Sequence, residues 1–171
     1  MKNLKRLTII AMLLAICIVV NILESFIPIP IPGVKLGLAN VIILIMLYEF
    51  KVSEAFMVNI LRIILVGMMR GNIFSPTFLM SLSGGILSFV VMLIFSRISI
   101  FSIIGVSVLG SISHATGQVI MAIIILSTEA VIYYLPFIGI LSIITGIFSG
   151  VLVKTYLKRS VTKNILDSSI E

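Results

Sequence analysis

Six apolar runs divide the chain, separated by short polar or helix-breaking stretches. A helix needs about 20 apolar residues to cross a bilayer, or roughly 17 at the short end. The pattern predicts helices over 7–24, 38–50, 53–69, 78–95, 103–126 and 135–156. The second run is short for a crossing, and its helix begins near Lys35 or Leu38. Between the first two runs stands Pro28-Ile29-Pro30-Ile31-Pro32-Gly33. Its prolines remove backbone donors and exclude a regular helix. The segment is apolar for a loop, which suits a cover over the mouth of a bundle. Arg70-Gly71-Asn72-Ile73-Phe74-Ser75-Pro76 is a second loop. From Lys158 the chain turns polar, which predicts a frayed tail over 158–171. No repeat or low-complexity segment appears, so residues 1–171 read as one domain.

Composition turns these runs into a membrane assignment. Of 171 residues, 60% are hydrophobic and 11% are charged. A soluble domain carries roughly 25% charged residues. The expected fold is an all-α integral membrane protein, a compact bundle of six transmembrane helices. The net charge of +6 does not signal nucleic acid, because the basic residues cluster at the ends of runs. With six crossings, Lys2, Lys5, Arg6, Lys51, Arg97, Lys154, Lys158, Arg159 and Lys163 fall on one side. Lys35 and Arg70 fall on the other, and Arg62 lies within a span. The positive-inside rule then makes both termini cytoplasmic. It also puts the proline segment and the Arg70 loop together on the outer face.

The single cysteine, Cys17, excludes an internal disulfide. Lys2, Lys5 and Arg6 before an apolar run resemble a signal peptide. No small-x-small cleavage site follows, so the expectation is a retained first helix.

Polar residues inside apolar runs are expensive and usually face a protein interior or a cavity. Here they are Lys35, Asn40, Asn59, Arg62, Arg70, Asn72, His114 and Gln118. Several are cations or donors, as a pocket for something anionic or polar requires. Ser107, Ser111, His114 and Gln118 fall within about 60° of one another at helical spacing, so they form one polar stripe. Such a stripe either faces a ligand or joins helices inside the bundle. Asn59 and Arg62 share a helix face, and Arg70 lies about 12 Å further along the axis. For Arg62 the alternatives are ligand contact, an ion pair with Glu49 or Glu54, or contact with a headgroup. For Lys35 and Arg70 the alternative is headgroup contact, with Glu24 and Glu129 as outer acids that could pair with them. Ala11 and Ala15 form a small-xxx-small motif that lets another helix approach. Ser83-Gly84-Gly85 and Ser88 give the fourth run a second small face.

The missing residue types narrow the chemistry. No G-x-x-x-x-G-K-[ST] sequence is present, so the chain has no P-loop for ATP. Asp167 is the only aspartate, and no carboxylates cluster as a magnesium-held diphosphate requires. His114 is the only histidine, which excludes a multi-histidine metal site. No Ser/His/Asp or Cys/His nucleophilic set is discernible. The expectation is a non-enzyme without a cofactor. Its energy, if it moves a solute, comes from a gradient or a partner.

Pro32-Gly33-Val34-Lys35-Leu36-Gly37-Leu38-Ala39-Asn40-Val41 resembles the membrane proteins called heptaprenyl diphosphate synthase component I, or the Gx transporter family. Ser81-Leu82-Ser83-Gly84-Gly85 and the stretch from Gly110 to Gln118 resemble it as well. Ala115 stands where that family's motif would have asparagine. The family is similar to the substrate-binding S components of energy-coupling-factor transporters. Those are six-helix proteins that capture vitamins or related compounds from outside. The resemblance implies partners: a transmembrane coupling subunit and two ATPases in the plasma membrane. It also implies that Ala11 and Ala15 dock the coupling subunit and that residues 27–37 form a lid. Under this reading the ligand is small, anionic and partly hydrophobic, like an isoprenoid or quinone precursor. Lys35, Asn40, Asn59, Arg62, Arg70, Asn72, Ser111, His114 and Gln118 are then the substrate-binding candidates. The alternative is a non-catalytic accessory subunit of a prenyl diphosphate synthase, although the cytoplasmic loops are short for a large partner. A gradient-driven carrier would prefer a titratable acid in mid-membrane, whereas Glu24, Glu49, Glu54 and Glu129 fall near run ends.

Overall fold

The computed structural model describes residues 2–24, 26 and 37–168. The proline segment and Lys35 lie outside the described residues, as does all of the expected lid except Gly37. The helices are α1 (Lys2–Glu24), α2 (Asn40–Glu49), α3 (Val52–Met69), α4 (Pro76–Ser96), α5 (Ile103–Leu126) and α6 (Leu135–Ser168). A 3₁₀ segment, Glu129–Tyr134, leads into α6. No strand occurs among the described residues.

Local chemistry sets the helix boundaries. Ser75 caps α4 by accepting from the Phe78 amide at 3.3 Å, and Pro76 takes the first helical position, where its missing N–H costs nothing. Ser102 caps α5 by accepting from the Gly105 amide at 3.1 Å. The Glu54 carboxylate accepts from the Lys51 amide at 3.0 Å and from Arg6 at 2.7 Å. That ion pair ties the start of α1 to the start of α3. The α2 helix begins later than its apolar run because Gly37 turns the backbone to φ +84, a conformation glycine adopts without a steric penalty. At the other end of the chain, α6 continues past Tyr156 to Ser168. The expected frayed tail therefore starts as helix. It contains no proline or glycine to stop one.

Among the described residues five helices are long and apolar enough to cross a membrane, and α2, with ten residues, is a shorter apolar helix. At 1.5 Å per residue α2 spans about 15 Å, half of a hydrocarbon core. Yet α2 is the hub of the bundle. Ile42 to Leu47 are all buried in one cluster with Ile10 and Cys17 of α1, Ala55 and Val58 of α3, Phe89 and Met92 of α4, Val106 of α5 and Val153 of α6. A second cluster, Met80, Ala115, Val119, Ala122, Val131 and Ile138, fills the far end between α4, α5 and α6.

Polarity is inverted relative to a water-soluble bundle. Met12, Ile16 and Val19 of α1, Ile94 of α4, Ile124 of α5 and Ile144 and Phe148 of α6 point outward, while asparagine, serine, arginine, histidine and glutamine are buried. Lipid accepts apolar surface and offers no hydrogen bonds. With five long apolar helices, this distribution makes the chain a multi-pass membrane protein.

Candidate functional site

Two adjacent glycines of α4, Gly84 and Gly85, lie at the centre of the buried polar residues. A side chain on Gly84 would meet the His114 carbonyl oxygen at 2.7 Å and Gln118 Cγ at 2.8 Å. One on Gly85 would lie 3.7 Å from both Arg62 Nη2 and Asn59 Oδ1. Gly84 thus leaves room for the α5 backbone and Gln118, and Gly85 for Ile63 of α3, whose Cδ1 would lie 2.7 Å from a side chain there. The α4 and α5 backbones also touch, since a methyl on Gly117 would come within 2.9 Å of Gly84 Cα.

On the α3 side, Arg62 is 1% exposed. Its Nε donates to Asn59 Oδ1 at 3.1 Å, and its Nη2 donates to Asn59 Oδ1 at 2.9 Å and to Asn40 Oδ1 at 3.0 Å. The amide nitrogens of both asparagines face the other way. Asn59 Nδ2 donates to the Gly85 carbonyl at 3.0 Å, and Asn40 Nδ2 donates to Ser88 Oγ at 2.9 Å. Ser88 passes the chain on to the Gly110 carbonyl at 2.8 Å. One network therefore joins α2, α3, α4 and α5.

The charge at its centre makes no direct ion pair among the described residues. Glu54 is engaged by Arg6, and Glu49 accepts from the Tyr156 hydroxyl at 3.3 Å. Among the described residues no carboxylate lies within ion-pair distance of Arg62. Burying a lone cation costs several kcal/mol even after relaxation. Hydrogen bonds from a charged donor return about 1.5–3 kcal/mol each. The asparagine oxygens thus make the burial tolerable while leaving the positive charge in place.

On the α5 side, His114 and Gln118 are both buried and joined at 2.7 Å between Nε2 atoms. Gly37 brings the two sides together, because a side chain there would meet Asn40 Nδ2 at 3.0 Å and the His114 ring at 3.4 Å. Counted from the helix ends nearest the Arg6–Glu54 pair, Arg62, Asn40, Gly85 and His114 all lie about 12–17 Å along the bundle. The polar residues form a layer near half height.

Some sequence candidates fall elsewhere. Arg70 is exposed at the end of α3. Asn72 is half-buried and donates to Thr77 Oγ1 at 3.2 Å, bracing the loop against the start of α4. Ser111 is buried toward α6, with its Oγ 3.2 Å from where a methyl on Gly146 would sit. The α5 stripe therefore divides: Ser107 and Ser111 face α6, and His114 and Gln118 face α4. Ala11 and Ala15 are exposed on the outer surface of α1.

Glu24 was missing from the sequence candidates for the site. It is the last residue of α1 and is 3% exposed. Its Oε1 accepts from the Gly37 amide and from the Leu38 amide, the latter at 3.1 Å. Position near the end of an apolar run suggested an outer, accessible acid. No signal along the chain marks its burial, because Gly37 lies thirteen residues further on.

A family model described as heptaprenyl diphosphate synthase component I matches residues 13–156. The chain belongs to this family. Comparison with curated proteins and with solved structures finds no match. The matched region takes in α2 to α5 whole and, with them, every residue of the polar layer.

Proposed function

We propose that this chain is the substrate-capture subunit of an ATP-driven importer of the energy-coupling-factor type. It crosses the membrane six times with both termini cytoplasmic, and α2 supplies the second crossing as a half-length helix. The ligand is a small amphiphile with an anionic head and a hydrophobic portion, like an isoprenoid or quinone precursor. The observation that carries this reading is Arg62, a buried guanidinium held by neutral oxygens with no carboxylate at ion-pair distance among the described residues. A retained buried charge of this kind marks a functional site by default. Asn40, Asn59, Arg62, His114 and Gln118 line the binding layer, and Lys35 and Arg70 attract the anion at the outer mouth. The chain performs no chemistry itself, and a coupling subunit docks on the exposed small face at Ala11 and Ala15.

The family description favours a second reading, a non-catalytic membrane partner for a heptaprenyl diphosphate synthase. Mass spectrometry of what co-purifies with the tagged chain from its native membrane separates the two. Two ATPases with a membrane coupling protein are the expected companions. A soluble prenyl synthase without any ATPase would establish the second reading instead.

A further inference from the structure

Several hydroxyls of this bundle are satisfied within their own helices. Ser81, Ser113, Thr116 and Thr145 each donate to the carbonyl four residues back, at 2.8, 2.6, 2.9 and 3.0 Å. Ser142 and Ser149 of α6 do not. The two residues are 0% and 2% exposed, and neither Oγ makes a hydrogen bond among the described residues. A buried hydroxyl left without a partner costs about 1–3 kcal/mol, and lipid supplies no partner. A bond to the helix carbonyl is open to any helical serine, so these two hydroxyls are turned away from it.

The register of α5 and α6 shows what they face. A methyl on Gly146 would lie 2.7 Å from Val108 Cα and 3.2 Å from Ser111 Oγ. One on Gly150 would lie 2.7 Å from Ile104 Cα and 3.0 Å from Ser107 Cβ. The helices therefore run antiparallel, with Gly146 and Gly150 as the ridge of contact. Ser142 and Ser149 lie four residues before and three after Gly146, on the same helix face. Val153, one turn past Ser149, packs in the cluster around α2, so this face turns into the bundle. By register Ser149 comes level with Ser107, and Ser142 with the stretch from Ser111 to His114. Ser107 and Ser111 are buried as well. Four hydroxyls thus form a file beside the glycine ridge, from the second turn of α5 to the level of the polar layer.

We propose that this file is a binding site for ordered water, which bridges Ser142 and Ser149 of α6 to Ser111 and Ser107 of α5. A buried water needs about two to four polar partners, and hydroxyls on two facing helices provide them. A metal ion suits the file less well. No carboxylate occurs in 103–126 or 135–157, and an uncompensated buried charge is costly. The hydroxyls hold water against the seam and bring it to the level of His114, whichever ligand the layer takes. The inference therefore stands apart from the importer reading.

The test uses the full chain in lipid. Water-edited solid-state NMR of the wild type measures how fast polarisation passes from water to each residue. Cys17, fully buried in the apolar cluster, is the dry reference. Build-up at Ser142 and Ser149 should be several-fold faster than at Cys17. Build-up no faster than at Cys17 overturns the proposal, whatever the variants do. Ser142→Ala and Ser149→Ala cannot crowd the seam, and each takes a partner from a bridging water. Each should lower the unfolding midpoint by about 2–4 °C. A higher midpoint is the result for an unpartnered hydroxyl removed from a dry seam. That rise, or no change in either variant, overturns the proposal equally.

Discussion

The two halves of the bundle are held together by different means. On the α4–α5–α6 side the helices meet through their backbones. Gly84 and Gly117 touch, and methyls on Gly146 or Gly150 would each come within 2.7 Å of an α5 Cα. Ser83 adds a hydrogen bond to the Gly117 carbonyl at 2.8 Å. On the α1–α2–α3 side the contacts run through long apolar side chains and the Arg62 network, and α1 shows much of its surface outward. Backbone contact leaves no slack, because nothing flexible lies between the helices. Side-chain contact can adjust by rotamer. The difference suggests a fixed wall and a movable one, with the polar layer at the seam.

The fixed wall should be the most sensitive to added bulk. Gly117→Val forces branched carbons against the Gly84 backbone and should cost about 3 kcal/mol or more, at the upper end of overpacking. Thermal unfolding of the purified protein should show a large drop, or the yield should collapse. The seam should respond differently. Arg62→Gln removes a charge together with its desolvation cost, so a stability loss within about 2 kcal/mol is expected. Binding of the anionic ligand should nonetheless fall about 100-fold, as for loss of one charge-assisted contact. Unchanged affinity in a folded variant would remove Arg62 from the site.

The movable wall should tolerate more. Ala11→Leu with Ala15→Leu adds bulk to an exposed face and should change stability by less than about 0.5 kcal/mol. Co-purification of the coupling subunit should be lost, and its retention would exclude this face as the dock. The smallest effect is expected at Arg6→Ala. The Arg6–Glu54 pair is solvent-exposed, and such pairs contribute little. No measurable shift in the unfolding midpoint is expected, and a clear drop would show that α1 depends on this tie.

Much of this architecture can be read along the chain. The apolar runs locate the helices, and the expense of polar groups in lipid points to the burial of Asn40, Asn59, Arg62, His114 and Gln118. Periodicity places residues on a face of their own helix but does not say which neighbour that face meets. That is why Ser111 and His114, on one stripe, turn to different helices. It is also why the sequence leaves the partners of Arg62 open: Glu49 and Glu54 carry the opposite charge, yet two asparagines hold the guanidinium. Glu24 was hidden for a related reason. A position at the end of a run suggests water, but the helix end here abuts the start of α2 and is enclosed.

The half-length of α2 has a consequence for how the protein is made. A helix of ten residues, two of them Asn40 and Glu49, falls short of the roughly 17 apolar residues that hold a segment in a bilayer by themselves, so α2 is a poor insertion signal. During synthesis α1 and α3 would partition into lipid on their own merits, and α2 would be drawn in as the later helices gather around it. Its place at the hub makes that docking the step that completes the molecule. Substitutions in Ile42 to Leu47 should therefore yield chains that insert, persist briefly in the membrane and are cleared by quality-control proteases.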